Sequence, residues 1–124
     1  MTPSIFKFEA IGTSWVIEVF DDTQKETLLE KIRNRIDVFD RDYSRFRSDS
    51  LVTKMSKATG TYRLPPDAKP MLDIYERMYK LTGGSMTPLI GRVMEDAGYD
   101  AEYSLKTKAT ITQPPAWNEA IEYS

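Results

Sequence analysis

Leu81-Thr82-Gly83-Gly84-Ser85-Met86-Thr87-Pro88-Leu89-Ile90-Gly91 is the stretch on which the reading of this chain turns. Met71, Leu72, Tyr75, Met78, Tyr79 and Thr82 run into it at helical spacing and predict the inner face of an amphipathic helix. Gly83-Gly84 stops that helix, because glycine takes the left-handed conformation without a Cβ penalty. Small polar residues and a proline follow. Backbone amides and a hydroxyl just past the helix end could be offered to a ligand. Ala10-Ile11-Gly12-Thr13 and Tyr43-Ser44-Arg45-Phe46-Arg47-Ser48-Asp49-Ser50 have the same character at other element boundaries.

Upstream, Ile5 to Ala10 alternates, with Phe6, Phe8 and Ala10 on one face. Thr13 to Phe20 alternates again, with Trp15, Ile17 and Val19 as the expected buried set. Period-two patterns of this kind predict two half-buried strands, with a bulge or turn at Gly12. Thr23 to Glu26 has the form of a capping box. The helix it predicts carries Leu28, Leu29, Ile32, Ile36 and Phe39 as one apolar stripe. Ser48, Asp49 or Ser50 is expected to cap a short helix bearing Leu51, Val52 and Met55. Tyr62-Arg63-Leu64 reads as a short edge strand, and Pro65-Pro66-Asp67 opens the helix ending at Gly83. Val93 and Met94 suggest one further helical turn or two. Lys106 to Pro115 reads as a loop, and Trp117 to Tyr123 as a strand or docking segment. The order β-β-α-α-β-α-α gives a mixed α+β domain over residues 1–124.

Composition narrows the chemistry. The chain has 124 residues, 40% hydrophobic and 29% charged, with a net charge of −2. One globular domain fits these values. The basic residues are dispersed, and Arg41, Arg45 and Arg47 alternate with Asp40, Asp42 and Asp49, so the footprint of a nucleic-acid binder is missing. There is no cysteine and no histidine. Disulfides, thiolate catalysis, a lipidated cysteine and serine–histidine catalysis within the chain are excluded. Any metal would need oxygen ligands, pointing to magnesium or calcium. No signal peptide and no apolar run of membrane-spanning length is visible, and the expected location is the cytoplasm.

No dinucleotide fingerprint, P-loop or nucleophile elbow is present. Glu95 and Asp96 are adjacent, point to different sides of a helix and make a poor acid/base pair. Taken singly, Gly83-Gly84 is a helix cap, Ile11-Gly12-Thr13 a turn and Phe46 a loop-anchoring aromatic.

Taken in order, these segments resemble the N-terminal half of the ApbE family, the FAD:protein FMN transferases once described as thiamine-biosynthesis lipoproteins. Ile11-Gly12-Thr13 is similar to the family's Met-Gly-Thr. Ser44-Arg45-Phe46-Arg47-Ser48-Asp49-Ser50 matches its Ser-x-aromatic-x-x-Asp-Ser pattern. Thr82 to Arg92 occupies the place of its Thr-x-Gly-Ala-Phe-Asp-Pro-x-x-Gly-Pro. Ala97-Gly98-Tyr99 and Pro115-Ala116-Trp117 echo two later motifs.

The resemblance implies an α+β domain like the N-terminal part of the ApbE-like (T-fold-like) fold. It implies an enzyme that moves FMN from FAD to a threonine or serine of an acceptor flavoprotein, with magnesium at the phosphates. By motif match, Ile11, Phe46, Ser85, Met86 and Thr87 stand at cofactor-contacting positions. An aromatic face can stack a ring, and a turn of small residues allows close approach. The family's methionine, aspartate and tryptophan are replaced by Ile11, Thr87 and Ala97. The family's Asp-Leu-Gly-Gly segment and its histidine- and metal-binding motifs lie beyond the part that matches. The chain is therefore expected to be a portion of a flavin transferase with no catalytic residue or metal ligand of its own. The alternative is a non-catalytic ApbE-like domain serving flavin binding or protein association. A homodimer that covers an open strand edge is a further expectation.

Overall fold

The computed structural model describes residues 2–20 and 25–124. They divide into two compact units, Met1–Thr59 and Gly60–Ser124.

In the first unit, β1 (Ser4–Ala10) and β2 (Thr13–Val19) form an antiparallel hairpin. The register pairs Phe6 with Ile17 and Phe8 with Trp15, as the alternation predicts. Ile11 and Gly12 occupy the turn with φ of 53° and 70°. Both values are positive, the signature of the tight turn that suits the right-handed strand twist. Phe6 is buried, but Trp15 is 38% exposed, short of the burial expected for it. Trp15 instead stacks on Phe8 with ring centroids 6.4 Å apart and donates its indole N–H to the Ala10 carbonyl at 3.0 Å. A two-stranded sheet has too little inner face to cover a ring as wide as indole.

The helix α1 (Lys25–Tyr43) runs four residues past Phe39, the last residue of the predicted apolar stripe. Its stripe, Leu28, Leu29, Ile32, Ile36 and Phe39, is the half-buried face. The expected Thr23 capping box lies outside the described residues. The short α2 (Leu51–Lys57) is capped by Ser50, whose hydroxyl accepts from the Thr53 amide at 3.0 Å.

The second unit holds α3 (Ala68–Leu81), α4 (Gly91–Asp96) and α5 (Trp117–Ala120). Trp117 and Ala68 are buried, and Tyr79 packs at 5.8 Å from the Trp117 ring. Fully burying a side chain such as Trp117 is worth about 1.5–3 kcal/mol. Tyr62-Arg63-Leu64 is not a strand: no described strand pairs with it, and the two prolines that follow remove amide donors. Among the described residues the order is therefore β-β followed by five helices. Trp117 to Tyr123 is a helical turn and an extended tail, of docking rather than strand character. The Tyr123 hydroxyl reaches Asp73 at 2.8 Å and Glu76 at 2.9 Å on α3. No helix among the described residues is long and apolar enough to cross a membrane.

Candidate functional site

The expected cofactor-contacting residues fall on three parts of the chain, of which the hairpin turn is the first. Ile11 is 47% exposed at its tip. A β-branched residue at positive φ is an outlier, and such strain concentrates at ligand-contacting positions. A cavity of 310 Å³ opens beside it, lined by Phe8, Glu9 and Ala10 of β1 and by Arg33, Ile36 and Asp37 of α1. The Ser14 hydroxyl bonds to the Glu9 carboxylate at this end of the hairpin.

The loop between α1 and α2 is the second part. Arg47 grips Asp49 with two parallel bonds of 3.0 Å and reaches Asp40 at 3.4 Å. This fork holds the Asp49 carboxyl below its ordinary pKa. The Thr53 hydroxyl donates to the Arg47 carbonyl at 2.7 Å, and the Ser44 hydroxyl accepts from the Phe46 amide at 3.3 Å. These bonds brace both sides of Phe46, whose ring is 43% exposed. The Arg45 guanidinium lies 4.2 Å from its centroid.

The turn after α3 is the third part. Gly83, at φ 61°, donates to the Lys80 carbonyl at 3.4 Å, and Gly84 to the Tyr79 carbonyl at 2.8 Å. This bond pair is the Schellman helix stop. Ser85 donates to the Thr82 carbonyl at 3.3 Å and Met86 to the Thr82 hydroxyl at 3.0 Å. All four amides are thus turned inward, contrary to the expectation that they are spare. The turn offers side chains instead: Ser85 and Met86 are exposed. Thr87 is buried, and its hydroxyl accepts from the Leu89 amide at 3.2 Å.

The structure therefore brings Ser85, Met86 and Thr87 together on one turn of the second unit. Ile11 and Phe46 occupy two separate boundaries of the first. No three acidic side chains converge in a metal-holding group among the described residues.

Asp96, a poor acid/base candidate by sequence, has an anchoring role that no local pattern marks. It is buried at the end of α4 and accepts the Thr112 amide at 2.9 Å, the Thr112 hydroxyl at 2.6 Å and the Lys108 ammonium at 2.9 Å. These bonds, Thr112's first, hold its carboxyl well below the ordinary carboxylate range. Asp96 ties down the irregular segment that follows α4, which is an anchoring rather than an acid/base role. Its partners lie 12 and 16 residues away, beyond the reach of local pattern.

The hairpin, long helix, braced aromatic loop and Schellman turn define an α+β architecture. A model of the ApbE family matches residues 11–123, and the chain belongs to that family. The ApbE protein of Thermotoga maritima has the same fold over 87% of this chain, with a TM-score of 0.73 and 20% identity. The apo flavinyl transferase ApbE of Pseudomonas stutzeri matches over 93%, with a TM-score of 0.70 and 16% identity. A variant of the flavin transferase ApbE of Vibrio cholerae matches over 91%, with a TM-score of 0.76 and 14% identity. The chain spans 36%, 36% and 38% of those three chains, respectively. No curated protein matches it significantly.

Proposed function

We propose that this chain supplies the flavin-nucleotide wall of a flavin transferase. The complete enzyme would move FMN from FAD to a threonine or serine of an acceptor flavoprotein. In that step the acceptor hydroxyl oxygen bonds to the FMN phosphorus, the bond to AMP breaks, and the hydroxyl proton leaves to a base. The observation that carries the reading is the exposed Phe46 ring, held on a loop braced by Arg47 in the motif position of the family's cofactor-contacting aromatic. Ile11, Ser85, Met86 and Thr87 join it as cofactor-contacting residues. Magnesium ligands and the base would come from the portion of the fold that this chain does not span.

Thr87 favours a second reading, a non-catalytic domain that binds flavin or a protein partner. It is a buried hydroxyl, already engaged by Leu89, where the family has a carboxylate. Because the base and the magnesium ligands would come from outside this chain, the test adds a separately expressed C-terminal portion of an ApbE-family transferase to the chain. FAD, magnesium and an acceptor flavoprotein complete the mixture, and the intact mass of the acceptor is read. A covalent FMN adduct that requires both portions supports the transferase reading. FAD binding without an adduct supports the second reading.

A further inference from the structure

We infer that Arg45 is the phosphate-contacting residue of this nucleotide site, an inference that rests on the flavin reading above. Arg45 and Arg47 flank Phe46 but differ in their partners. Arg47 is saturated by Asp49 and Asp40. Arg45 is half-buried and makes no ion pair with a described residue; its recorded contact is the Phe46 ring, 4.2 Å from the guanidinium carbon.

A guanidinium over an aromatic face keeps its five N–H donors, which lie in its own plane and are not consumed by the ring. The contact with the ring restrains the side chain and lowers the entropy lost when those donors engage an anion. Of the acids near it in sequence, Asp40 and Asp49 are bonded to Arg47. The result is an oriented, half-desolvated cation beside an exposed aromatic ring. That pairing fits a ligand carrying a planar ring system next to a phosphate, with the phosphate oxygens received by the Arg45 fork.

The test compares FAD with riboflavin, which has the ring system and no phosphate, by equilibrium titration of the full chain. For Arg45→Ala, FAD affinity is expected to fall at least about tenfold, the usual scale for losing hydrogen bonds to a charged group. Riboflavin affinity is expected to stay within about twofold of the unsubstituted chain. Arg45→Lys keeps the charge but not the fork, and recovers only part of the loss. Retained riboflavin binding shows that the Arg45→Ala chain is folded. An unchanged FAD affinity, or an equal loss for FAD and riboflavin, overturns the assignment of Arg45 and leaves the flavin reading standing. Failure of the unsubstituted chain to bind either ligand overturns both.

Discussion

The Asp96 carboxylate receives both the amide and the hydroxyl of Thr112, at 2.9 and 2.6 Å, across sixteen residues that contain no regular structure. Lys108 reaches its other oxygen, and the Lys108 amide donates to the Asp96 carbonyl at 2.7 Å. One side chain thus organises the segment between α4 and α5. Asp96→Asn keeps the shape but loses the charge, and puts an amide donor beside one of these donors. It is expected to lower the thermal midpoint by several degrees. The acid limb of the stability curve tests the cause. Because the folded pKa lies below the ordinary 3.8, the contribution is full above that value and is lost as pH falls toward the depressed one. Asp96→Asn should flatten this loss, and an unchanged acid limb would remove Asp96 as its source.

Gly98 closes the same segment from the other side. At φ 101°, a Cβ on it would sit 2.7 Å from the Leu105 carbonyl carbon. The obstacle is backbone, so no side chain can swing away. Gly98→Ala is expected to cost about 2 kcal/mol or more, measured by urea unfolding.

Ile11 links stability to function. An L-residue in the left-handed region costs roughly 1–2 kcal/mol, and Asn-Gly is the pair this turn prefers. Ile11→Asn is expected to raise stability by about 1 kcal/mol. It should also weaken FAD binding if the apolar side chain contacts the cofactor. A gain in stability with unchanged FAD affinity would make Ile11 a tolerated defect and not a contact.

Much of this was legible in the chain. Strict alternation set which face of the hairpin buries Phe6, since a one-residue slip would turn it outward, and the Ile11-Gly12 turn fixed the register. The Leu28-to-Phe39 stripe and the Gly83-Gly84 stop were equally clear, and the cap was narrowed to Ser48, Asp49 or Ser50, since each is a contact within one or two turns. Residues whose partners are distant were not. Asp96 looks like any helix-end acid, and Tyr123 like a strand residue, until Thr112 and Asp73 are seen beside them. The spare amides expected after Gly83 failed for a related reason: the Thr82 hydroxyl and carbonyl claim two of them locally. The place of Phe46 on the loop between α1 and α2 was readable from its motif. The difference between Arg45 and Arg47 was not, because it depends on which arginine reaches Asp40.

Thr87 gives a gain-of-contact test. Its hydroxyl already accepts the Leu89 amide, and an aspartate there could keep that bond with one oxygen and free the other. Thr87→Asp is expected to tighten FAD binding about threefold to tenfold, comparable to one added hydrogen bond. Unchanged or weaker binding would show that the carboxylate geometry of the family is not retained on this turn.

The most direct measurement is a titration of the full chain with FAD, followed by quenching of flavin fluorescence, with Phe46→Ala beside it. The account predicts saturable binding at tens of micromolar FAD or below, about −6 kcal/mol or stronger. It predicts that Phe46→Ala weakens this by about 1–3 kcal/mol, the scale of ring-on-ring stacking. Absence of saturation, or an affinity indifferent to Phe46, would contradict a flavin-nucleotide wall built around that ring.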